Sequence, residues 1–104
     1  MKVLTDGHKY VVTNFEDKKF GQTIQFIHKE LKAEGQLQEL VTIVDGTTNE
    51  EIIEMLIDRM NYLQAKFPCR ENAIVITNLE ESLMWLNKRT ADRVKRNVEG
   101  KHSA

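Results

Sequence analysis

The chain has 104 residues, and a chain of this length ordinarily forms one small domain. Its 15 lysines plus arginines are balanced by 16 aspartates plus glutamates. The resulting net charge of −1 argues against a protein drawn as a whole to nucleic acid or to an anionic membrane. We therefore expect any anion-binding site to be local.

The number of cysteines and the hydropathy of the chain narrow the class of protein further. The only cysteine, Cys69, excludes an intrachain disulfide and a cysteine-based metal cluster. No apolar run reaches the roughly 18 residues of a membrane span, and the start of the sequence lacks the hydrophobic region of a signal peptide. We expect a soluble, unprocessed protein of a reducing cytoplasm, without a metal ion or a cofactor.

Short runs of β-forming residues occupy the first 46 residues. A strand is predicted over residues 9–15, and two longer runs, 22–31 and 36–44, are predicted to pair as a hairpin around Gly35. Alternate positions in these runs are apolar, as in a sheet with one covered face. This part of the chain is therefore predicted to form a small antiparallel sheet.

Helical periodicity replaces this pattern after Gly46. Thr48, with Glu51 three residues later, has the sequence of a capping box, which predicts the start of a helix. Apolar residues then recur at helical spacing until Pro68 stops the pattern. A first helix is therefore predicted over residues 48–67.

A second, longer helix is predicted over residues 70–98, because this segment contains no glycine or proline and is rich in helix formers. Gly100 is its expected terminator, and residues 99–104 form a tail. The predicted fold class is α+β in a single domain, a small antiparallel sheet followed by an antiparallel hairpin of two long helices. Such a hairpin must bury one face on the sheet or on another copy of the chain.

An apolar stripe runs along the second predicted helix and has polar residues at both ends. Its apolar members are Ile76, Leu79, Leu83 and Leu86. Asn72 precedes them on the same row, and Thr90 and Arg93 follow. These polar residues either border a helix–helix interface or mark where the stripe runs out into solvent.

Three arginines, Arg89, Arg93 and Arg96, follow one another at helical spacing, so their guanidinium groups lie on one face. The paired donors of arginine match the oxygens of a pyrophosphate bidentately. Trp85, one turn before Arg89, adds an aromatic surface on which a base can stack. The same pattern is also typical of a solvated basic helix end with a tryptophan packed in the core, and both interpretations stay open.

Patterns for enzymatic chemistry are weaker. Cys69 would need a neighbouring base, but His8, His28 and His102 are predicted in a loop, a strand and the tail, with no catalytic signature. The five glycines form no P-loop and no dinucleotide-binding fingerprint. These observations predict a binding protein, and a hydrolase is the least favoured function.

Two segments of the sequence resemble a known family. The stretch CRENAIVITNLEESLMWLNKRTADRVKRNVEG, from Cys69 to Gly100, resembles the C-terminal helix of the phage Thoeris anti-defence sponges. The segment GTTNEEII at the start of the first helix is similar to the same family. The β-rich beginning is similar in kind and less distinctive, so the resemblance is carried by the helical half of the chain.

The resemblance implies a phage or prophage protein that binds glyco-cyclic ADP-ribose, a messenger made by bacterial TIR-domain enzymes. Such a sponge holds the messenger intact in the host cytoplasm, so that the Thoeris effector is not activated. The resemblance also implies a homodimer with the ligand at its interface, and in some members a hexamer, a trimer of dimers, with a second pocket for cyclic trinucleotides. The family is similar to the anti-CBASS cyclic-nucleotide sponges, and it implies no DNA, RNA or membrane partner.

Six positions are singled out as ligand contacts. The residues that match the family's contacts with the messenger are Tyr62, Asn72, Arg89 and Arg93, and a possible second pocket is assigned to Thr90 and Arg96. The joint between the helices differs by one residue in length from the family's, so Phe67 is the alternative to Tyr62. From the residues alone, the competing function is a small nucleic-acid-binding or regulatory module that uses the basic C-terminal helix.

Overall fold

The computed structural model describes residues 1–35 and 37–98, and it has the predicted α+β class, with five strands before two helices. In chain order the elements are β1 (Lys2–Thr5), β2 (Lys9–Thr13), β3 (Gly21–Gln25), β4 (His28–Glu34), β5 (Leu37–Val44), α1 (Asn49–Lys66) and α2 (Arg70–Val98). The predicted terminator Gly100, the tail 99–104 and Gln36 lie outside the described residues. The chain divides into two compact units, Met1–Thr48 and a helical unit that begins at Asn49. The single domain expected from the sequence stays a prediction.

The first sheet has three antiparallel strands in the order β1-β2-β3. The turn between β1 and β2 is closed by the N–H of His8, which donates to the carbonyl oxygen of Thr5 over 3.0 Å. Gly7 supplies the positive φ of 74° that this turn needs, a conformation that side chains with a Cβ disfavour. Strand β1 was not among the predicted elements.

The second sheet is the antiparallel hairpin β4-β5, which turns at Gly35 as predicted. The prediction of one continuous strand over residues 22–31 is wrong, because this run is divided between β3 in the first sheet and β4 in the second. The break lies at Phe26 and Ile27. The N–H of Phe26 donates to the carbonyl oxygen of His8 over 2.7 Å, and that of Ile27 donates to the carbonyl oxygen of Thr47 over 2.8 Å. These hydrogen bonds to residues distant in the sequence separate β3 from β4, so the two strands join different sheets.

Gly46 allows two backbone segments of this unit to approach closely. The N–H of Thr47 donates to the carbonyl oxygen of Gln25 over 2.8 Å. A Cβ added at Gly46 would overlap that same carbonyl oxygen and lie 2.7 Å from the carbonyl carbon of Phe26. Only glycine fits this contact without a backbone shift. The residue that ends the strand pattern in the sequence thus fastens the segment before α1 to the strand region.

Replacing Gly46 with alanine should lower the free energy of unfolding by about 1–3 kcal/mol, because the added methyl group overpacks a backbone contact. Urea unfolding measures this change. Gly7→Asn is the control, since no heavy atom lies within 4 Å of a Cβ at Gly7 and asparagine tolerates its positive φ. Equal losses in both variants would contradict a specific role for the Gly46 contact.

The two helices pack against each other as a hairpin with a three-residue joint. Helix α1 begins directly after Thr48, the predicted N-cap, and ends one residue before Phe67. On α2 the half-buried residues are Asn72, Ile76, Leu79, Leu83, Leu86 and Arg93. This confirms the predicted apolar stripe with a polar residue at each end, although Thr90, on the same row, is exposed.

The helical hairpin leaves much of its apolar surface uncovered. Within the described part of the chain no side chain is fully buried. Large apolar side chains that remain exposed on the two helices are Met55, Leu56, Ile74, Val75, Met84, Trp85 and Val94. Helix α2 has 29 residues and α1 has 18, so the last three turns of α2 extend about 16 Å beyond the end of α1.

No described helix combines the length and hydropathy of a membrane span.

Candidate functional site

The joint between the helices is fixed by the Gln64 side chain. Its Nε2 donates to the carbonyl oxygen of Cys69, and its Oε1 accepts from the N–H of Cys69, both over 3.0 Å. Cys69 in turn stands at the N-cap of α2, where its Sγ accepts the N–H of Asn72 at 3.4 Å. The thiol therefore has a structural partner, and Asn72 is held in the first turn of α2.

Replacing Gln64 with alanine should destabilise this joint by about 1–3 kcal/mol, because two hydrogen bonds to a half-buried backbone are lost. Urea unfolding and amide hydrogen exchange at Cys69 measure the effect. Asn61→Ala is the matched control, since Asn61 is an exposed amide on the same helix. If both variants unfold at the same urea concentration, Gln64 does not hold the joint.

Tyr62 and Asn72 lie at this joint end of the hairpin. Tyr62, near the end of α1, is 54% exposed, and Nζ of Lys66 lies 5.0 Å from the centre of its ring. Asn72 is half-buried. Phe67, the alternative aromatic contact, is in the joint itself and is 75% exposed. An aromatic face and an amide are thus available at one end, with a lysine beside the ring.

The arginines lie at the opposite end of α2. Arg93 is half-buried, whereas Arg89, Thr90 and Arg96 are exposed. Within the residues that the structure describes, none of the three guanidinium groups forms an ion pair with a carboxylate. They are therefore free to bind an external anion.

Asp92 is the acid nearest to these arginines in the sequence, and it is already paired. Oδ2 of Asp92 accepts from Nζ of Lys88 over 2.9 Å. That hydrogen bond and the positive charge of Lys88 lower the pKa of Asp92, and the charges of Arg96 and Lys95 act in the same direction. The carboxylate therefore remains ionised and is satisfied by Lys88.

A single chain does not bring the candidate residues together. Asn72 and Arg93 are 21 residues apart on one continuous helix, a separation of about 31 Å. The candidate contacts therefore form two clusters, one at the joint and one near the end of α2. The half-buried apolar stripe occupies the length between them.

Depressions lie along the described part of the helices. One, of about 520 Å³, is lined by Glu54, Ile57, Glu80, Leu83, Met84 and Asn87. Another, of about 200 Å³, is lined by Trp85, Lys88, Arg89, Asp92 and Arg96. Trp85 is 58% exposed, so the interpretation of this residue as part of a buried core does not hold within one chain.

The histidines in the first unit form a pair that their positions in the sequence did not indicate. The rings of His8 and His28 stack with their centres 3.7 Å apart and their planes at 9°. Nε2 of His28 lies 3.1 Å from Oε1 of Glu30. Nowhere in residues 1–35 and 37–98 do three or more His, Cys, Asp or Glu side chains form a group that could hold a metal ion. His102 lies outside the described residues.

Two lysines beside the candidate residues were missed in the sequence. Lys66 lies over Tyr62, and Lys88 pairs with Asp92. Both pairs have a spacing of four residues, which places side chains next to each other on a helix. That spacing was the available signal, and it would have identified both contacts.

Comparison with known proteins assigns the family. The model of the Acb2/Tad1 hairpin domain matches residues 24–91, well over half of the chain. The chain belongs to the Acb2/Tad1 hairpin family. The protein "Thoeris anti-defense 1" of Bacillus phage SBSphiJ7 is 59% identical over 59 residues, which make up 56% of this chain and 42% of the relative. The chain thus matches less than half of that relative's length.

The Acb2/Tad1 hairpin domain includes most of the candidate residues. Tyr62, Asn72, Arg89 and Thr90 lie within the matched range, whereas Arg93 and Arg96 lie just after it. Nearly all of the first sheet precedes the range. The family assignment therefore rests on the β4-β5 hairpin and the two helices, the part that carries the candidate contacts.

Proposed function

We propose that this chain is a phage anti-defence protein that binds glyco-cyclic ADP-ribose and sequesters it without cleaving it. Membership of the Acb2/Tad1 hairpin family and the similarity to a Thoeris anti-defense protein support this role. Sequestration acts by mass action in the host cytoplasm. Binding at nanomolar affinity, about −12 kcal/mol, removes the free messenger when the protein is in excess, and the Thoeris effector is not activated.

The observation that carries the proposal is the division of the candidate contacts between the two ends of α2. In a homodimer with antiparallel α2 helices, Asn72 lies beside Arg93 of the partner subunit. The same register places Leu79 beside Leu86 of the partner subunit, so that the two stripes cover each other. The two clusters, about 31 Å apart in one chain, then meet twice at one interface.

Each residue has a role that follows from its chemistry. Arg89 and Arg93 clamp the pyrophosphate, because their guanidinium groups, which pair with no carboxylate among the described residues, offer bidentate donors. Tyr62 contributes an exposed ring against which the adenine stacks. Asn72 donates and accepts hydrogen bonds at the ribose-rich part of the ligand. None of these groups is a nucleophile activated by a base, so the ligand is held intact.

One experiment tests binding and integrity of the ligand together. The protein is incubated with excess glyco-cyclic ADP-ribose, freed from unbound ligand by gel filtration and denatured, and the released compound is identified by mass spectrometry. We expect the unaltered ligand, two molecules per dimer, and much less from the Arg93→Ala variant. A hydrolysed product would identify a hydrolase, and release of no nucleotide would refute the proposal.

A second pocket is proposed for cyclic trinucleotides in an assembly of three dimers. Thr90 and Arg96 are assigned to it, since both are exposed on the last turns of α2 beyond the reach of α1. Arg96 supplies a guanidinium for a phosphate, and Thr90 supplies a hydroxyl. Competition between a cyclic trinucleotide and glyco-cyclic ADP-ribose tests independence, because two separate pockets predict simultaneous binding.

The alternative is a small module that binds single-stranded nucleic acid. The exposed Trp85 beside Arg89 and Arg96 favours it, because an aromatic surface next to cations suits a base and its phosphates. The salt response separates the functions. Binding to a polyphosphate weakens steeply with salt because counterions are released, whereas an enclosed small-ligand site loses far less affinity.

A further inference from the structure

The joint between the two helices connects the elements that carry two of the proposed messenger contacts. Tyr62 lies near the end of α1, and Asn72 lies in the first turn of α2. Gln64 follows Tyr62 by two residues, and Cys69 precedes Asn72 by three. The hydrogen bonds between Gln64 and Cys69 therefore link the helix that holds the ring to the helix that holds the amide.

Gln64 fixes Cys69 at two points. Its side-chain amide donates to the carbonyl oxygen of Cys69 and accepts from the N–H of the same residue, so the backbone there cannot shift without losing a bond. The same carbonyl oxygen also accepts from the N–H of Ala73 over 3.3 Å, a hydrogen bond that belongs to the start of α2. Gln64 thus anchors the first turn of α2 to α1.

The thiol of Cys69 extends this order to Asn72. The first N–H groups of a helix have no partner within the helix, and the N–H of Asn72 is satisfied by Sγ of Cys69 at 3.4 Å. Sulfur is a weak acceptor, so this cap is weaker than one made by a hydroxyl group. The half-buried Asn72 is therefore held in place through the thiol.

We propose that Gln64 and Cys69 are positioning residues of the messenger site, because together they hold Asn72 in the geometry that the ligand requires. A polar contact with a ligand has to be placed within about 0.5 Å, and hydrogen bonds behind the contacting residue maintain that precision. If the first turn of α2 frays, the ligand must order it on binding, and this cost lowers the affinity. The inference rests on the proposed function and adds two residues that act through Asn72.

Two substitutions of Cys69 test the thiol by titration calorimetry with glyco-cyclic ADP-ribose. Cys69→Ala removes the acceptor and should weaken binding about fivefold, which corresponds to the ~1 kcal/mol of a typical helix cap. Cys69→Ser is the matched control, because a serine hydroxyl is a better acceptor at this position, and its affinity should stay within about twofold of the unmodified protein's. Exchange of the Asn72 amide hydrogen, measured without ligand, should accelerate in the alanine variant and not in the serine variant.

A double variant distinguishes the positioning of Asn72 from a general loss of stability. Asn72→Ala removes the contact itself, so adding Cys69→Ala to it should cause no further loss of affinity. Gln64→Ala should behave like Cys69→Ala, weakening the unmodified protein and leaving the affinity of Asn72→Ala unchanged. Circular dichroism on each sample checks that the helices are retained.

The outcomes separate this inference from the proposed function. Additive losses in the double variants, or equal affinities of Cys69→Ala and Cys69→Ser, would overturn the positioning role while the messenger still binds. An unchanged affinity in Asn72→Ala would overturn it as well, because there would be no contact to position. If the unmodified protein binds no messenger in the same titration, the proposed function fails and this inference fails with it.

Discussion

Replacing Leu79 with aspartate should dissociate the protein into single chains and abolish binding of glyco-cyclic ADP-ribose at the same time. Leu79 lies in the middle of the half-buried stripe of α2. An unpaired carboxylate in a covered interface costs several kcal/mol, which corresponds to more than a hundredfold in the dimerisation constant. Sedimentation velocity measures the assembly, and titration calorimetry on the same sample measures the affinity.

Thr77→Asp is the matched control for this prediction. Thr77 lies two residues earlier, on the exposed side of the same helix, so an added charge there remains solvated. Its assembly and affinity should be close to those of the unmodified protein. If Leu79→Asp dissociates the dimer and keeps its affinity, the ligand site does not lie at the interface. A stable monomer of the unmodified chain at micromolar concentration would exclude the proposed dimer altogether.

Replacing Arg89 or Arg93 with alanine should weaken binding of the messenger ten- to hundredfold. Each substitution removes charge-assisted hydrogen bonds worth about 1.5–3 kcal/mol, and because neither arginine forms an ion pair with a described carboxylate, folding should be nearly unchanged. Lysine should also be a poor replacement, since a point charge does not reproduce the planar pair of donors. Titration calorimetry measures the affinity, and circular dichroism checks the helical content.

Arg96→Ala is the control for the arginine pair. Arg96 lies one turn beyond the proposed messenger contacts, so its loss should change this affinity by less than about threefold, or about 0.7 kcal/mol. Equal, small and strongly salt-dependent losses at all three arginines would describe a diffuse basic surface. In that case the pocket would not be where we place it.

The helical half of the fold could be predicted from the sequence because its signals are local. The capping sequence at Thr48 and the stop at Pro68 predicted a helix over residues 48–67, and α1 spans Asn49–Lys66. The apolar period of the second helix predicted the stripe that the structure half-buries. Helix caps and helical periodicity depend on neighbours within four residues, so one sequence contains the information.

The strands of the first unit could not all be predicted, because their ends are set by contacts between residues far apart in the sequence. Nothing local distinguishes Phe26 and Ile27 from the strands around them, yet their N–H groups donate to His8 and Thr47, which lie 18 and 20 residues away along the chain. The stacking of His8 on His28 arises in the same way. The register of a strand is set by its partners, and a continuous alternating run does not reveal where the partner changes.

The residues of the candidate site could be predicted from the sequence, but their arrangement in space could not. The row from Asn72 to Arg93 was visible as a pattern, but only the continuous α2 gives the distance of about 31 Å that keeps its ends apart in one chain. Lys66 contacts Tyr62 and Lys88 pairs with Asp92, in each case across a spacing of four residues on a helix. No function had been assigned to either lysine from the sequence.

The lack of any fully buried side chain in the described residues has a consequence for how the protein works at low abundance. If neighbouring copies supply the missing burial, folding and association are one equilibrium, and the apparent melting temperature rises with protein concentration. Below the dimerisation constant the number of ligand sites grows with the square of the chain concentration. For the sponge that we propose, doubling the supply of chains would then quadruple the capacity for the messenger, so that neutralisation would rise steeply with synthesis.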